Sequence, residues 1–312
     1  MVHTILITND DGIDAPGISA LVQGLHDAGY RIVVCAPDRE RSASTMHLTL
    51  HRKMKLRRRI DLLNSYRLND SSPKIDLFDI SGYPADSVLT ALSGGLPSNI
   101  PTPSLCISGI NRGPNMSVDV LHSGTIGAAR QAGTCGIPSL ATSLDTFEPN
   151  DYSDALRATL ELVEHICSII PESPTNFGRE GGSSTQPEGE SNEQILRNAF
   201  ILGDVYLNLN VPVGWDDEFS STHLGGRWYR GAIKIVGDDS IDRDEWDIQL
   251  GAATIEDEPI EHGDSNRVRM GFASVSTLGT WPQGHPLAIT DELLSTTSSG
   301  EGLPSWLIVD QE

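Results

Sequence analysis

Two adjacent carboxylates, Asp10 and Asp11, follow the apolar run Ile5-Leu6-Ile7 and precede Gly12. An aliphatic run of this kind reads as a strand buried on both faces. Polar residues at the carboxyl end of such a strand stand where open α/β sheets bind ligands. Neighbouring carboxylates in that crevice repel one another unless a cation lies between them, so the first dozen residues propose a metal site.

Three further polar patches have the same character: Asp38 to Ser44, Ser108 to Asn115, and His122-Ser123-Gly124-Thr125. Together they offer carboxylate, amide and hydroxyl oxygens, the ligands of a hard divalent cation, without the His and Cys spacing of zinc sites. Ser123-Gly124-Thr125 also places hydroxyls and backbone N–H groups at a helix N-terminus, an anion site suited to phosphate. Cation and phosphate cradle together point to phosphoryl chemistry, where positioning and charge neutralisation do most of the catalysis. Each signal alone has a plainer reading, with Asp10-Asp11-Gly12 a turn, Ser123 a helix cap, and Asn111 and Asn115 turn residues. Their weight comes from all four following core strands and converging at one sheet edge.

The elements that would hold these patches alternate. Pro16 to Ala28 carries apolar residues at helical spacing, and Arg31 to Ala36 is a second buried strand, giving a right-handed β-α-β unit. Alternation over 48–56 and parts of 66–80 predicts an antiparallel hairpin. A short helix follows at Pro84 to Leu92, then core strands at Ser104–Ser108 and Pro138–Ser143, with a polar loop at 109–119 and a small-residue helix at Gly124–Ala132. Tyr152 to Ile170 predicts an amphipathic helix with Leu156, Leu160, Val163, Ile166 and Cys167 on its apolar face. Residues 171–192 are rich in Pro, Ser, Gly, Glu and Gln and read as a flexible insertion or linker. Leu202 to Val211 restores a strand, and short β-rich segments are expected near 227–236, 246–255 and 268–278. The fold class is α/β, a Rossmann-like, doubly wound, mostly parallel sheet with a β-rich C-terminal extension. The expected division is a catalytic core over 1–170, the insertion over 171–192, and a returning core strand plus β-rich extension over 193–312.

Composition bounds the partners. The 312 residues carry a net charge of −21, with only four lysines beside eighteen arginines. Such a surface repels nucleic acid and anionic membranes; its plainer reading is ordinary solubility, and the one preferred is work at high ionic strength, where salt screens its self-repulsion. No run approaches the length of a membrane span, and the chain starts straight into a strand without a signal-peptide pattern, so a cytoplasmic location is expected. Cys35, Cys106, Cys135 and Cys167 form no C-x-x-C pair, and Cys35 and Cys106 read as small buried hydrophobes. The basic run Arg52 to Arg59 alternates with Met and Leu, as a solvated strand face would, and could draw anionic substrate toward an acidic protein.

The segments ILITNDDGIDAPGI, VVCAPDRERSAS, GYPADSV, SGINRGPN and HSGTIGAARQAG–GIPSLATS closely resemble, in order and spacing over residues 4–143, the SurE family of survival-protein nucleotidases. LNLNVP and ASVSTL resemble it loosely. The resemblance implies a 5′-nucleotidase, a metal-dependent phosphomonoesterase acting on nucleoside 5′- and 3′-monophosphates. It further implies a homodimer or tetramer whose C-terminal β arms exchange between subunits. Carried over motif by motif, the metal ligands are Asp10, Asp11, Ser42 and Asn111, holding one divalent cation, magnesium or manganese, per subunit. The phosphate-binding positions are Asn115, Ser123, Gly124 and Thr125; Asp10, Asp11, Asn115 and Ser123 carry the catalysis. The acidic, lysine-poor composition points to a member from a halophilic archaeon. The chain departs from the pattern where Ala43 replaces the glycine after the ligand serine, His122 replaces the tyrosine before Ser-Gly-Thr, and Met46-His47 replaces small polar residues.

The expected mechanism has Asp10 or Asp11 orienting or deprotonating a water while the Ser123-Gly124-Thr125 turn steadies the phosphate; direct attack by an aspartate to form an aspartyl-phosphate is the alternative. The D-x-D-x-T pattern of aspartyl-phosphate phosphatases is absent, which favours water. His122, beside the phosphate turn, and His47 are candidate acids for the leaving oxygen. Two other classes compete. A dinucleotide-dependent oxidoreductase needs a G-x-G-x-x-G turn after the first strand, where this chain has acids. A non-catalytic metal or nucleotide sensor on the same fold would keep every proposed ligand.

Overall fold

In the computed structural model, which describes residues 2–67, 73–149, 151–179, 186–236, 245–251 and 254–308, the first strand β1 (Thr4–Thr8) is buried along its whole length. Side chains alternate across a strand, so Ile5 and Ile7 enter the apolar layer on one face and Leu6 the layer on the other. Strand β2 (Arg31–Pro37) repeats this with Ile32 and Val34 against Val33 and Cys35. Helices α1 (Pro16–Asp27), α5 (Ser153–Ile169) and α6 (Asn192–Ile201) cover the first face through Ile18, Leu21, Leu25, Leu162, Ile166 and Phe200. Helices α3 (Pro84–Leu92) and α4 (Gly124–Thr134) cover the second through Val88, Leu92, Ala128 and Ala132. The short helices α2 (Ile60–Leu63), α7 (Asp264–Arg269) and α8 (Asp291–Ser295) lie on connections.

The other strands are β3 (Leu56–Arg58), β4 (Ile75–Ile80), β5 (Leu105–Arg112), β6 (Ser139–Leu144), β7 (Val205–Val211), β8 (Phe219–Thr222), β9 (Gly226–Arg230), β10 (Ile233–Val236), β11 (Asp247–Leu250), β12 (Thr254–Glu258) and β13 (Ala273–Gly279). Nine strands, β1 and β2 included, form one sheet in the order β3-β4-β2-β1-β5-β6-β7-β13-β8. From β4 to β7 all neighbours are parallel; β3 and β13 pair antiparallel with β4 and β7. The chain winds outward from β1 through β2 to β4, then begins again at β5 on the other side. That reversal places the topological switch point between β1 and β5, with Thr8 opposite Ser108, where such sheets bind ligands.

Several expectations need correction. Residues 48–54 form no strand, with a turn at Leu50 and His51, and only Leu56–Arg58 pairs, because the edge of the sheet is tied there by charge. Arg58 reaches the buried Asp76 at 2.6 Å, and Arg57 reaches the buried Asp79 at 2.8 Å. Arg59 binds Asp14, Asp61 and Asp79. These three arginines of the basic run are therefore committed to neighbouring carboxylates and form no open lure for anions. Part of the predicted alternation, 68–72, lies outside the described residues. More than one strand returns to the sheet, since β13 and β8 extend it beyond β7. The 268–278 segment starts in α7 rather than in a strand. The fully buried face of α5 is Ala155, Ala158, Thr159, Leu162, Val163 and Ile166, while Leu156, Leu160 and Cys167 are half-buried at its border. Small residues let the helix approach β6 closely enough for Thr159 to bond Thr142 at 2.8 Å. Within 171–192, residues 180–185 lie outside the described residues. Phe177–Arg179 is a 3₁₀ turn whose Arg179 pairs with the buried Asp204 at 3.0 Å, and residue 192 already begins α6.

One close approach sets α1 against the switch point. A Cβ on Gly17 would collide with the carbonyl oxygen of Ile110 in β5. Gly17→Ala is expected to lower unfolding free energy by about 1–3 kcal/mol through this overpacking, read from the urea midpoint at unchanged slope; an unchanged midpoint would contradict the packing described.

Candidate functional site

The turn after β1 is closed by Asn9, whose Nδ2 donates to the Gly12 carbonyl at 2.9 Å. Gly12 adopts φ +97°, and a Cβ there would lie 2.9 Å from the backbone of Arg39. The loop after β2 is thus drawn onto the first turn, and Arg41 N–H donates to the Asp10 carbonyl at 2.6 Å. The same loop packs onto α4, where a Cβ on Gly124 would sit 2.5 Å from Ser44 Oγ and 2.9 Å from Asp10 Cβ. Ala43 holds φ +54°, the left-handed angle its family glycine would adopt without strain. An alanine in that region costs about 1–2 kcal/mol, so the loop keeps its shape under strain.

The third patch is not a loop at first. β5 continues to Arg112 with a register shift between Ser108 and Asn111, which carries Asn111 to the cleft. Arg112 N–H donates to Asp11 Oδ2 at 3.1 Å. Beyond it, Asn115 is clamped by β7. Its N–H donates to Asn210 Oδ1 at 2.7 Å, and its carbonyl accepts from Asn208 Nδ2 at 2.8 Å and Asn210 Nδ2 at 3.1 Å. Its side-chain Nδ2 donates to Ser143 Oγ at 2.8 Å.

The fourth patch follows no strand directly, contrary to expectation. It leaves a 3₁₀ turn, Ser117–Leu121, and enters α4, with Ser123 as N-cap accepting from Ile126 N–H at 3.1 Å. The leading N–H groups of α4 lack intrahelical acceptors and make the N-terminus an anion seat. Thr125 is fully buried and does not itself line the cleft. Its single hydroxyl proton faces two acceptors, Asp10 Oδ1 at 2.7 Å and Asn111 Oδ1 at 3.3 Å.

Asp10, Asp11, Ser42, Asn111, Asn115 and Ser123 line one cavity of about 480 Å³, together with Glu40, Asp119, His122, Phe147 and Tyr229. Ser42 Oγ donates to Glu40 at 2.9 Å. His47 does not line this cavity; its ring lies 4.2 Å from that of Tyr83. Burial pushes the Asp10 carboxyl up to about 6 and also raises Asp11. Among the described residues, neither carboxylate has a cationic side chain within ion-pair distance. Arg112 lines the same cavity and offsets part of the Asp11 charge without pairing with it. Two acids and the Asn111 oxygen converging with no ion-paired partner fit a hard divalent cation, and no three His, Cys, Asp or Glu side chains gather among the described residues into another kind of cage.

Residues assigned no role from sequence also belong here. Ser44 Oγ is buried without a hydrogen-bond partner among the described residues, beside Asp10 and Gly124; its position two residues past Ser42 was the available signal. Asn208 and Asn210 sit in LNLN, where polar alternation in a core strand marks a buried polar ladder. Phe147 and Tyr229 left no sequence signal.

A family model described as survival protein SurE matches residues 5–231. The 5′-nucleotidase SurE of Syntrophotalea carbinolica is 34% identical over 276 residues, covering 88% of this chain and 90% of that protein. That of Desulforudis audaxviator is 42% identical over 229 residues, covering 73% of this chain and 74% of the relative. The crystal structure of the SurE protein from Aquifex aeolicus superposes with a TM-score of 0.60 at 25% identity, over 90% of this chain and 95% of that one.

The folded protein holds the Asp10 proton more tightly than the unfolded chain does. Metal-free protein is therefore expected to lose stability as pH rises from the ordinary carboxylate value of 3.8 through about 6. Asp10→Asn, which keeps the acceptor for Thr125, should remove that loss and raise unfolding free energy above pH 7 by roughly 1–3 kcal/mol. Denaturant titrations of both proteins across pH 4–8 check this; parallel pH profiles would refute it.

Proposed function

The chain belongs to the survival protein SurE family, and we propose from this membership and the cleft that it is a 5′-nucleotidase hydrolysing nucleoside 5′- and 3′-monophosphates to nucleoside and phosphate. The observation that carries the reading is the convergence of Asp10, Asp11 and Asn111 beside the N-terminus of α4, with Arg112 in the same cavity turned to Glu40 rather than paired with either aspartate. Asp10, Asp11, Ser42 and Asn111 would hold one divalent cation, magnesium or manganese, per subunit. When bound, it neutralises charge on the phosphate and lowers the pKa of water. Asn115, Ser123 and the N–H groups of Gly124 and Thr125 would hold the phosphate. Asp10 is fully buried and committed to Thr125, so Asp11 is the better placed to orient and take the proton of the attacking water. His122, exposed at the mouth of the same cleft, would give a proton to the departing oxygen.

Other features support finer readings. A hairpin carries the β9–β12 and β10–β11 ladders in succession, Arg230 opposite Thr254 and Ile233 opposite Leu250. It leaves Ile233, Ile248 and Leu250 exposed by 64%, 66% and 76%, more apolar surface than a solvated arm carries without a partner. We read it as the arm through which a homodimer or tetramer forms. The net charge of −21 supports work at high salt, with a halophilic archaeon as source, and disfavours nucleic acid and membranes as partners. No helix among the described residues is long and apolar enough to cross a membrane. The four free cysteines support the cytoplasm.

Phosphate release from AMP is expected, with loss on chelation, recovery on adding Mn²⁺ or Mg²⁺, and a fall of at least about 100-fold in the Asp10→Asn/Asp11→Asn double variant. A wild-type protein that binds AMP and metal without releasing phosphate would instead be a sensor. For the arm, Ile248→Asp with Leu250→Asp should shift the sedimenting species from oligomer to monomer; an unchanged coefficient would sink that reading.

A further inference from the structure

One wall of the cleft is aromatic and has no part in the chemistry above. Phe147 follows β6 and lines the same cavity as Asp10, Asp11 and Ser123. Its side chain is 61% exposed. Isolated exposed phenylalanines are common on convex surface, but this one stands in a concavity. Its placement there is built: a Cβ on Gly113 would lie 2.5 Å from Phe147 Cε1 and 2.8 Å from Cδ1, and Gly113 adopts φ +100°. The ring is shelved against bare backbone, in a position that any side chain at 113 would deny it. Tyr229 lines the cavity as well, its hydroxyl donating to Asp119 at 2.6 Å.

Resting on the nucleotidase reading, we propose that Phe147 is the platform on which the base of the nucleoside monophosphate stacks while its phosphate sits at the N-terminus of α4. A volume of about 480 Å³ lies within the range of small-molecule sites, and every base presents a π-face to such a ring. Stacking of this kind is indifferent to base identity. The ring therefore separates base-bearing phosphomonoesters from base-free sugar phosphates, and does not choose among bases. No hydrogen bond by which a base edge would be read is required of it.

The test compares AMP, CMP and ribose 5-phosphate as substrates of the metal-loaded wild type, Phe147→Ala and Phe147→Trp. Phe147→Ala should lower kcat/KM for AMP and CMP about tenfold, mainly through KM. It should leave ribose 5-phosphate unchanged, which also shows the variant folded. Phe147→Trp should retain wild-type discrimination. An equal fall on all three substrates, or none on the nucleotides, would overturn the platform. Wild type releasing phosphate from none of the three would overturn the nucleotidase reading itself, a separate failure.

Discussion

A carboxylate buried without a cation beside it is among the most costly things a fold can contain, and here the architecture is arranged to keep one. Asp10 emerges at the switch point between β1 and β5, where two halves of the sheet wind apart and leave a crevice. Around it, Gly12 admits the loop after β2, Gly124 admits Ser44, and Thr125 supplies one hydroxyl to two acceptors. None of these contacts cancels the charge. They hold it still.

The parts of the fold legible in the sequence were those stabilised by apolar burial. Strands β1 and β2 read as buried because their runs are apolar on both faces, and Gly17, Gly29 and Pro16 punctuate α1 as propensity predicts. The illegible parts are held by polar atoms. Strand β8 buries Ser220, Ser221 and Thr222, and Thr222 bonds Ser274 and Ser276 of β13 at 2.8 and 2.7 Å. Hydrophobic patterning has little to detect in β8, whereas β13, with Ala273 and Val275 in the core, fell within the β-rich segment expected near 268–278. Edge strand β3 depends on arginines bound to Asp76 and Asp79, and an ion pair has no period.

The candidate site divides the same way. That Asp10, Asp11, Ser42, Asn111 and Ser123 would share one cavity was legible because each belongs to a compact polar motif. Position along the chain misled at the fourth patch, which follows a 3₁₀ turn, and gave no sign that the Thr125 hydroxyl bonds Asp10. Phe147 needed three dimensions, since it is recognised by the glycine it leans on, and Ser44, though inside the second patch, stood out only by its orphaned oxygen.

The clamp on Asn115 has a consequence for the order in which the molecule comes into being. Asn208 and Asn210 lie beyond the long helix α5 and the whole 171–192 segment, yet they fix the backbone of the loop that leads to the anion seat. During synthesis the carboxylates, Ser42 and the start of α4 all exist long before β7 does. Until β7 pairs with β6, the Asn115 amide and carbonyl lack these three bonds. The nascent protein thus acquires its acids early, and the three backbone bonds that set Asn115 only once its second half has folded.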